Sequence, residues 1–176
     1  MKRQFLKLVL VASAAAVLAA CGGSDDEVAV TPAPAPTKNI VELAQATPSL
    51  SILVEAVVAA DLATTLSGAG PFTVFAPTDT AFAALLAELG VTKAALLADK
   101  ALLTKVLTYH VVSGKVLKAD IPFGKPITTV QGEIITIDTS AIITDARSRK
   151  SQITATDILA TNGVVHLIDK VILPKP

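Results

Sequence analysis

Very few side chains in this sequence are of the types that commonly carry catalysis or hold a metal. The chain has one cysteine, Cys21, and two histidines, His110 and His166, which stand 56 positions apart. Zinc and copper sites need several sulfur or imidazole ligands close together, and this set offers no such cluster. The sequence also has no Gly-x-Ser-x-Gly elbow, phosphate loop or dinucleotide fingerprint. We therefore expect a protein without enzymatic activity, cofactor or bound metal.

The N-terminal segment has the layout of a secretory signal peptide. Lys2, Arg3 and Lys7 precede the run Leu8–Ala20, which is apolar at all but one position and ends in small residues. A positive start, an apolar centre and small residues before a cut site predict that residues 1–20 are removed on secretion. The run of 13 residues is shorter than the roughly 20 that span a bilayer as a helix, so we do not expect a transmembrane anchor.

Cys21 directly follows the predicted cut site. The stretch Leu18-Ala19-Ala20-Cys21 resembles a bacterial lipobox, whose cysteine is lipidated and becomes the first residue of the mature protein. A lone free thiol is a liability in an oxidising compartment, and lipidation removes it. The alternative is an ordinary signal peptide with a chance cysteine beside its cut site.

Gly22 bears on which membrane the predicted anchor enters. In many Gram-negative bacteria, Asp directly after the lipidated cysteine retains the protein at the inner membrane. Gly22 stands at that position here, so resemblance to the sorting rule favours the outer membrane of the cell envelope. The sequence leaves open whether the domain faces the periplasm or the exterior.

Residues 21–37 form a predicted linker. Its second half, Thr31-Pro-Ala-Pro-Ala-Pro-Thr37, alternates proline with alanine, which favours extended polyproline II rising about 3.1 Å per residue. Such a spacer would hold residues 38–176, predicted to be one domain, away from the membrane. A chain of that length is long enough to bury a core of its own.

Charge and aromatic content exclude nucleic acid as a partner. The whole chain has 15 Lys or Arg and 15 Asp or Glu. Loss of Lys2, Arg3 and Lys7 with the signal peptide leaves 12 positive charges against 15 negative, a net charge of −3. Aromatic residues make up 3% of the chain and tryptophan is absent, so neither a basic nor a base-stacking surface is expected.

Helical spacing of apolar residues dominates the first half of the predicted domain. Thr47 and Pro48 are typical of an N-cap followed by the first helical residue. A second helix is predicted after Asp79, ending at Gly90, and a third from about Asp99. The three predictions rest on apolar residues at helical spacing, which are Leu50, Leu53, Val54, Val57 and Val58, then Phe82, Leu85, Leu86 and Leu89, then Leu102, Leu103, Val106 and Leu107.

The second half changes to β-type patterns. Asn162-Gly163 separates two β-branched runs and is a turn signal, since both residues tolerate a positive φ. Helices first and strands later predict an α+β domain, with N-terminal helices packed on a mainly antiparallel sheet. The segments with strand patterns are Phe72–Phe75, Glu133–Asp138, Ile153–Ile158 and Val164–Ile168, followed by the short apolar run Val171–Leu173.

Three segments together resemble a known family. They are Phe72-Thr-Val-Phe-Ala-Pro-Thr-Asp-Thr-Ala-Phe82, then Tyr109-His110, then Asn162-Gly-Val-Val-His-Leu-Ile-Asp-Lys-Val-Ile-Leu-Pro174. In order and spacing they resemble the first conserved box, the central Tyr-His pair and the second conserved box of fasciclin domains. The resemblance covers nearly all of residues 38–174 and implies the fasciclin fold, in which helices pack on a β-sheet wedge.

We interpret the residues of the two boxes as structural. Thr78 or Asp79 is expected to accept hydrogen bonds from the first amides of the following helix, while Pro77 separates strand from helix. His166 alternates with apolar neighbours, which favours a core residue over a catalyst, and Asp169 is expected to end a strand. The predicted structural set is Pro77, Thr78, Asp79, Asn162, Gly163, His166 and Asp169.

Tyr109-His110 allows two interpretations. In animal fasciclin proteins this region is implicated in integrin binding, so the resemblance implies a partner-binding role for the pair. The alternative is that both side chains are buried, with their polar atoms bonded to backbone groups, and the flanking apolar residues favour it.

The resemblance also implies a function in adhesion. We expect a lipid-anchored, extracytoplasmic module that contacts another cell, matrix or polysaccharide and reaches the membrane through lipidated Cys21. The sequence does not identify that surface partner or the oligomeric state. The alternative is a periplasmic envelope protein that holds a small apolar ligand between its helices and its sheet.

Overall fold

A layer of short helices makes up the first half of the domain. The structure, a computed structural model, describes residues 35–176, and within them six α-helices lie between residues 40 and 109. A 3-10 turn over Pro48–Leu50 leads directly into the second helix, and another turn lies at Lys118–Asp120. The helices are α1 (Ile40–Gln45), α2 (Ser51–Ala59), α3 (Ala63–Ser67), α4 (Asp79–Leu89), α5 (Lys93–Ala98) and α6 (Lys100–Tyr109).

Side-chain caps fix several helix starts. Asn39 Oδ1 accepts from Glu42 N at 2.9 Å, and Glu42 Oε2 accepts from Asn39 N at 2.9 Å, which makes a capping box at α1. Asp99 Oδ1 accepts from Leu102 N at 3.0 Å at the start of α6. Thr47, predicted as an N-cap, makes no capping bond, because its hydroxyl donates back to Leu43 O at 2.9 Å.

Seven strands form one sheet in the order β2-β1-β7-β6-β5-β4-β3. Neighbouring strands are antiparallel, except that β1 and β7 run parallel. The prediction of an α+β domain with a mainly antiparallel sheet is confirmed. The strands are β1 (Phe72–Pro77), β2 (Val111–Ser113), β3 (Pro126–Thr128), β4 (Ile134–Ile137), β5 (Ile142–Thr144), β6 (Lys150–Ala160) and β7 (Gly163–Ile168).

The long strand β6 divides the sheet into two halves. Its first three residues pair with β5, and the part from Ile153 onward pairs with β7. Register shifts between Ile153 and Ala155, and between Ala155 and Ile158, mark bulges in this second part. Bulges bend a strand and increase its twist, so the sheet changes direction along β6.

Two apolar cores correspond to these two halves. The first lies between the helices and strands β1 and β7, and it includes Leu53, Phe82 and Leu103. The second, the β-wedge core, joins strands β3–β6, where Ile137 and Ile143 are fully buried, to side chains such as Phe75 of β1 and Ile168 of β7. Complete burial of such a side chain contributes roughly 1.5–3 kcal/mol relative to leaving it exposed.

The C-terminal run Val171–Leu173 is buried but belongs to no strand. Its apolar pattern predicts burial, and two of its backbone amides bond to side chains instead of to a neighbouring strand. Ile172 N donates to His110 Nε2 at 3.2 Å, and Leu173 N donates to Asp145 Oδ2 at 2.9 Å. Within residues 35–176, no helix is long and apolar enough to cross a membrane.

Gly163 is required by a close backbone approach. The turn between β6 and β7 is where Asn162-Gly163 predicted it, but neither residue has a positive φ, so that physical reason was wrong. A Cβ on Gly163 would overlap the carbonyl oxygen of Phe72 and lie 3.0 Å from Ile40 Cδ1. The parallel strands β1 and β7 therefore meet at a point that has no room for a side chain.

Gly163→Ala should destabilise the domain by about 3 kcal/mol, because two backbones must separate to admit the methyl group. Gly90→Ala is the matched control. Gly90 has a φ of 66° and no atom within 4 Å of the place that a methyl group would occupy. The Gly90→Ala substitution should therefore lower the stability only by the strain of a left-handed alanine, about 1 kcal/mol. Urea unfolding curves measure both, and equal losses would contradict the close-approach explanation.

Candidate functional site

The two segments that resemble family boxes lie side by side. The parallel pairing of β1 and β7 sets Phe72 beside Gly163 and continues to Pro77 beside Ile168. Thr78 N then donates to Ile168 O at 3.2 Å, which extends the ladder past Pro77 to the start of α4. Residues far apart in sequence thus form a single structural unit.

Asp79 bonds to a different helix from the one it begins. Thr78 occupies the N-cap position of α4 but makes no capping bond. The Asp79 carboxylate accepts from Ile52 N at 2.9 Å and from Ser51 Oγ at 2.7 Å, at the start of α2. The predicted cap on the following helix is therefore wrong. The carboxylate instead supplies α2 with the acceptor that its own N-cap, Leu50, lacks.

Asn162 connects three elements through its side chain and its backbone oxygen. Its Oδ1 accepts from Ile40 N at 3.0 Å at the start of α1. Its Nδ2 donates to Leu66 O at 2.8 Å and to Gly68 O at 3.0 Å at the end of α3. Its backbone oxygen accepts from Phe72 N at 3.1 Å as β1 begins. Asn162 therefore works as a structural joint.

Tyr109 is completely buried in the β-wedge core. Its hydroxyl donates to Ile134 O at 3.0 Å and accepts from Ala146 N at 2.9 Å. Burial raises the pKa of this phenol to about 12, with smaller contributions of the same sign from nearby carboxylates. The hydroxyl thus joins α6 to strand β4 and to the β5–β6 turn.

His110 is 2% exposed and fully hydrogen-bonded. Its Nδ1 lies 2.7 Å from Val106 O, and its Nε2 accepts from Ile172 N at 3.2 Å, so the neutral tautomer carries its proton on Nδ1. Burial lowers the pKa of this imidazole to about 4. Neither Tyr109 nor His110 offers atoms to a partner on the surface of the folded domain.

His166 lies in the sheet centre, also without solvent contact. Its ring stacks on Phe75 with centroids 5.6 Å apart. Its Nε2 lies 2.9 Å from Val116 O, and its Nδ1 accepts from Asp157 N at 3.3 Å. Because both nitrogens of each histidine bond to backbone groups, neither ring is available to take a proton from a substrate.

Asp169 follows the last residue of β7 and ties it to β6. Its Oδ1 accepts from Gln152 N at 2.7 Å and from Ser151 Oγ at 3.2 Å. The backbone of Asp169 also donates to Gln152 O at 3.1 Å. The carboxylate thus holds the end of one strand against the start of its neighbour.

Asp145 is a structural residue that the sequence analysis missed. It is buried, and its Oδ1 accepts from Arg147 N and Arg149 N at 2.9 and 2.8 Å. Its Oδ2 accepts from Leu173 N, so it fixes both the β5–β6 turn and the C-terminal segment. The available signal was an Asp directly after a β-type run, since Asp readily accepts from amides two and four residues onward.

The described residues offer no evident catalytic or metal-binding arrangement. Within residues 35–176, no group of three or more His, Cys, Asp or Glu could hold a metal ion. Every buried side-chain nitrogen or oxygen in this part has a hydrogen-bond partner. Cys21, the predicted signal peptide and most of the predicted linker lie outside the described residues.

A small gap lies between the helices and the sheet, and a larger groove opens at the surface. The gap among α1, α2, β1 and α6 has a volume of about 30 Å³, room for about one water molecule. An apolar ligand larger than a water molecule does not fit in this gap. A larger groove of about 190 Å³ opens between α4, α6 and the C-terminal residues.

Comparison with known sequences assigns the family. The model of the fasciclin domain family matches residues 48–174. The chain belongs to the fasciclin family. Its fasciclin domain resembles, in structure, a solved FAS1 domain pair from the insect cell adhesion molecule Fasciclin I, with a TM-score of 0.67 at 17% identity. That match covers 78% of this chain and 51% of the domain pair, so it bears on the fold.

Relatives of the fasciclin domain occur in bacteria and animals. Protein sll1483 of Synechocystis sp. is 46% identical over 139 residues, which cover 77% of this chain and 73% of the relative. Immunogenic protein MPB70 of Mycobacterium bovis is 33% identical over 153 residues, covering 87% of this chain and 72% of the relative. Human periostin is 31% identical over 121 residues, 66% of this chain but only 14% of periostin.

Asn162→Asp should destabilise the domain by about 3 kcal/mol or more. A carboxylate can still accept from Ile40 N, but it cannot donate to the carbonyls of Leu66 and Gly68 and repels them. The matched control is Asn39→Asp, because the exposed cap of α1 only accepts and Asp serves there equally well. Thermal and urea unfolding should show a lower stability for Asn162→Asp than for Asn39→Asp. Equal stability of the two variants would contradict the connecting role of the Asn162 side chain.

His110 should make the domain less stable as the pH falls. Below the ordinary histidine pKa of 6.5 the unfolded chain binds a proton that the folded protein refuses until about pH 4. The free energy of unfolding should therefore drop by about 2 kcal/mol between pH 7.5 and 5 through this group. Urea unfolding at both pH values, compared with His110→Gln, isolates the contribution of His110 to the pH dependence.

A second measurement keeps this prediction testable if the glutamine variant does not fold. In the native protein, the NMR shift of the His110 ring Cε1–H should stay unchanged from pH 7.5 down to 5. Titration of that signal with a midpoint near 6.5 would contradict the buried neutral imidazole.

Proposed function

We propose that the protein is a lipid-anchored adhesion module of the bacterial cell envelope. Membership of the fasciclin family carries this proposal, together with the fold shared with domains of an insect cell adhesion molecule. Its action is binding and not catalysis, consistent with two histidines whose ring nitrogens are all engaged. The partner is a protein or polysaccharide on another surface.

The anchor rests on the sequence. The lipobox-like Leu18-Ala19-Ala20-Cys21 and the following Gly22 support a lipidated N-terminus in the outer membrane, facing the periplasm or the exterior. The proline-rich spacer then sets the domain off from the bilayer. Adhesion to another cell requires the exterior orientation.

Neither Tyr109 nor His110 is part of the proposed contact surface. Their polar atoms bond internally, and reaching them would require the core of the β-wedge to open. Recognition by this protein therefore uses other, exposed residues, in contrast to the role that the family resemblance implied for the pair.

A deletion strain complemented with variants tests the proposal. Deletion should lower cell aggregation and biofilm mass, and the wild-type protein should restore them. Cys21→Ala should fail to restore them, because the protein loses acyl labelling and leaves the membrane fraction. Tyr109→Phe, which removes one buried hydroxyl, should restore adhesion when its surface level matches the wild type.

The contrary outcomes are equally specific. Unchanged aggregation and biofilm after deletion would refute adhesion, and persistent membrane association of Cys21→Ala would refute the lipid anchor. Protease shaving of intact cells should remove the domain. Full protection of the domain would show an inward orientation and rule out contact between cells.

A further inference from the structure

An apolar groove runs between the helical layer and the C-terminal segment. It has a volume of about 190 Å³. Leu89 and Leu102 are 42% and 37% exposed, so apolar side chains reach the solvent along its mouth. Its floor is formed by Phe82, Leu85, Leu96, Leu103, Val106 and Leu173. The shape is that of a concave channel and not of a protruding apolar surface.

Three cationic residues line the same groove: Lys105, Arg147 and Lys175. Lys105 Nζ donates to Lys175 O at 2.8 Å, and Arg147 Nε donates to Pro174 O at 2.7 Å. These two bonds aim the cationic groups along the C-terminal wall of the groove. In residues 35–176, neither Lys105 nor Arg147 has a carboxylate within 4.0 Å, whereas three other cations form ion pairs.

Within residues 35–176, Arg147 uses only its Nε in a side-chain hydrogen bond, which leaves both terminal nitrogens for an anion. A guanidinium with two parallel N–H donors suits a carboxylate, which it can bind through two hydrogen bonds. The acidic side chains near this wall are engaged by backbone amides: Glu133 Oε2 accepts from Lys175 N at 2.9 Å, and Asp145 accepts from Arg147 N at 2.9 Å and from Leu173 N at 2.9 Å. An apolar channel with cations along one wall thus complements a molecule with an aliphatic chain and one anionic end.

We propose that this groove binds a free single-chain fatty acid. The aliphatic chain lies along the apolar floor, and the carboxylate bonds to Arg147 with Lys105 beside it. A free acid suits the channel better than a membrane surface does, since Leu89 and Leu102 are more than half covered and do not protrude as anchors. This site does not depend on the proposed adhesion function.

Calorimetric titration of the purified, delipidated protein with dodecanoate tests the site, at concentrations below micelle formation. Dodecanoate should bind at least tenfold more tightly than dodecanol, and dodecyltrimethylammonium should not bind. In a series of shorter acids, each added methylene should strengthen binding about fourfold until the chain outgrows the groove.

Variants assign the groove as the binding site. Arg147→Gln and Lys105→Gln should each weaken dodecanoate about tenfold, or 1.4 kcal/mol, and leave dodecanol unchanged. Leu102→Asn should weaken both ligands. Lys100→Gln is the charge control, since Lys100 pairs with Asp61 outside the groove, and Leu159→Asn is the control for an exposed leucine. Melting temperatures check that each variant is folded.

Several results would overturn the proposal. These are absence of dodecanoate binding, equal affinity for dodecanol, or Arg147→Gln and Lys105→Gln variants without effect. Binding only to anionic phospholipid vesicles, lost in the same variants, would identify a membrane-docking surface instead. Self-association that Leu102→Asn abolishes, in the absence of dodecanoate binding, would identify an interface between copies of the chain.

Discussion

The parallel contact between β1 and β7 is the constraint on which the rest of the domain depends. It joins strands that the chain separates by a helical layer and by most of the sheet, so it forms only when both are in place. Gly163 permits the close approach, and Asn162 secures it with bonds to α1, α3 and β1. Loop closure over so long a segment costs entropy that these contacts must offset.

A second set of buried polar groups holds the C-terminal segment. His110 and Asp145 accept from its amides, and Tyr109 bonds to the strands beneath it. Buried groups of this kind are costly when unpaired and rigid when all their partners are present. The same segment forms one wall of the apolar groove, so the packing that stabilises the wedge also shapes the surface that we propose binds a ligand.

Patterns within a short stretch of sequence were sufficient for the long elements. Leucines at helical spacing predicted α4 and α6, and β-branched runs predicted β4 and β7. The helices α1, α3 and α5 were not predicted, since five or six residues give too few turns for a periodic signal. The strands β2, β3 and β5 have three residues each and were missed for the same reason.

The sequence by itself determined the fold class, the family and the small number of residues able to do chemistry, because these depend on residue types and their order. Only the tertiary structure decided what the polar residues do. Asp79 looked like a cap for its own helix and bonds to α2, and the sequence left Tyr109-His110 open to either a partner-binding or a buried role. The hydrogen-bond partners of these side chains lie tens of residues away in the sequence. A local sequence pattern carries no information about which distant backbone group will lie beside a given side chain.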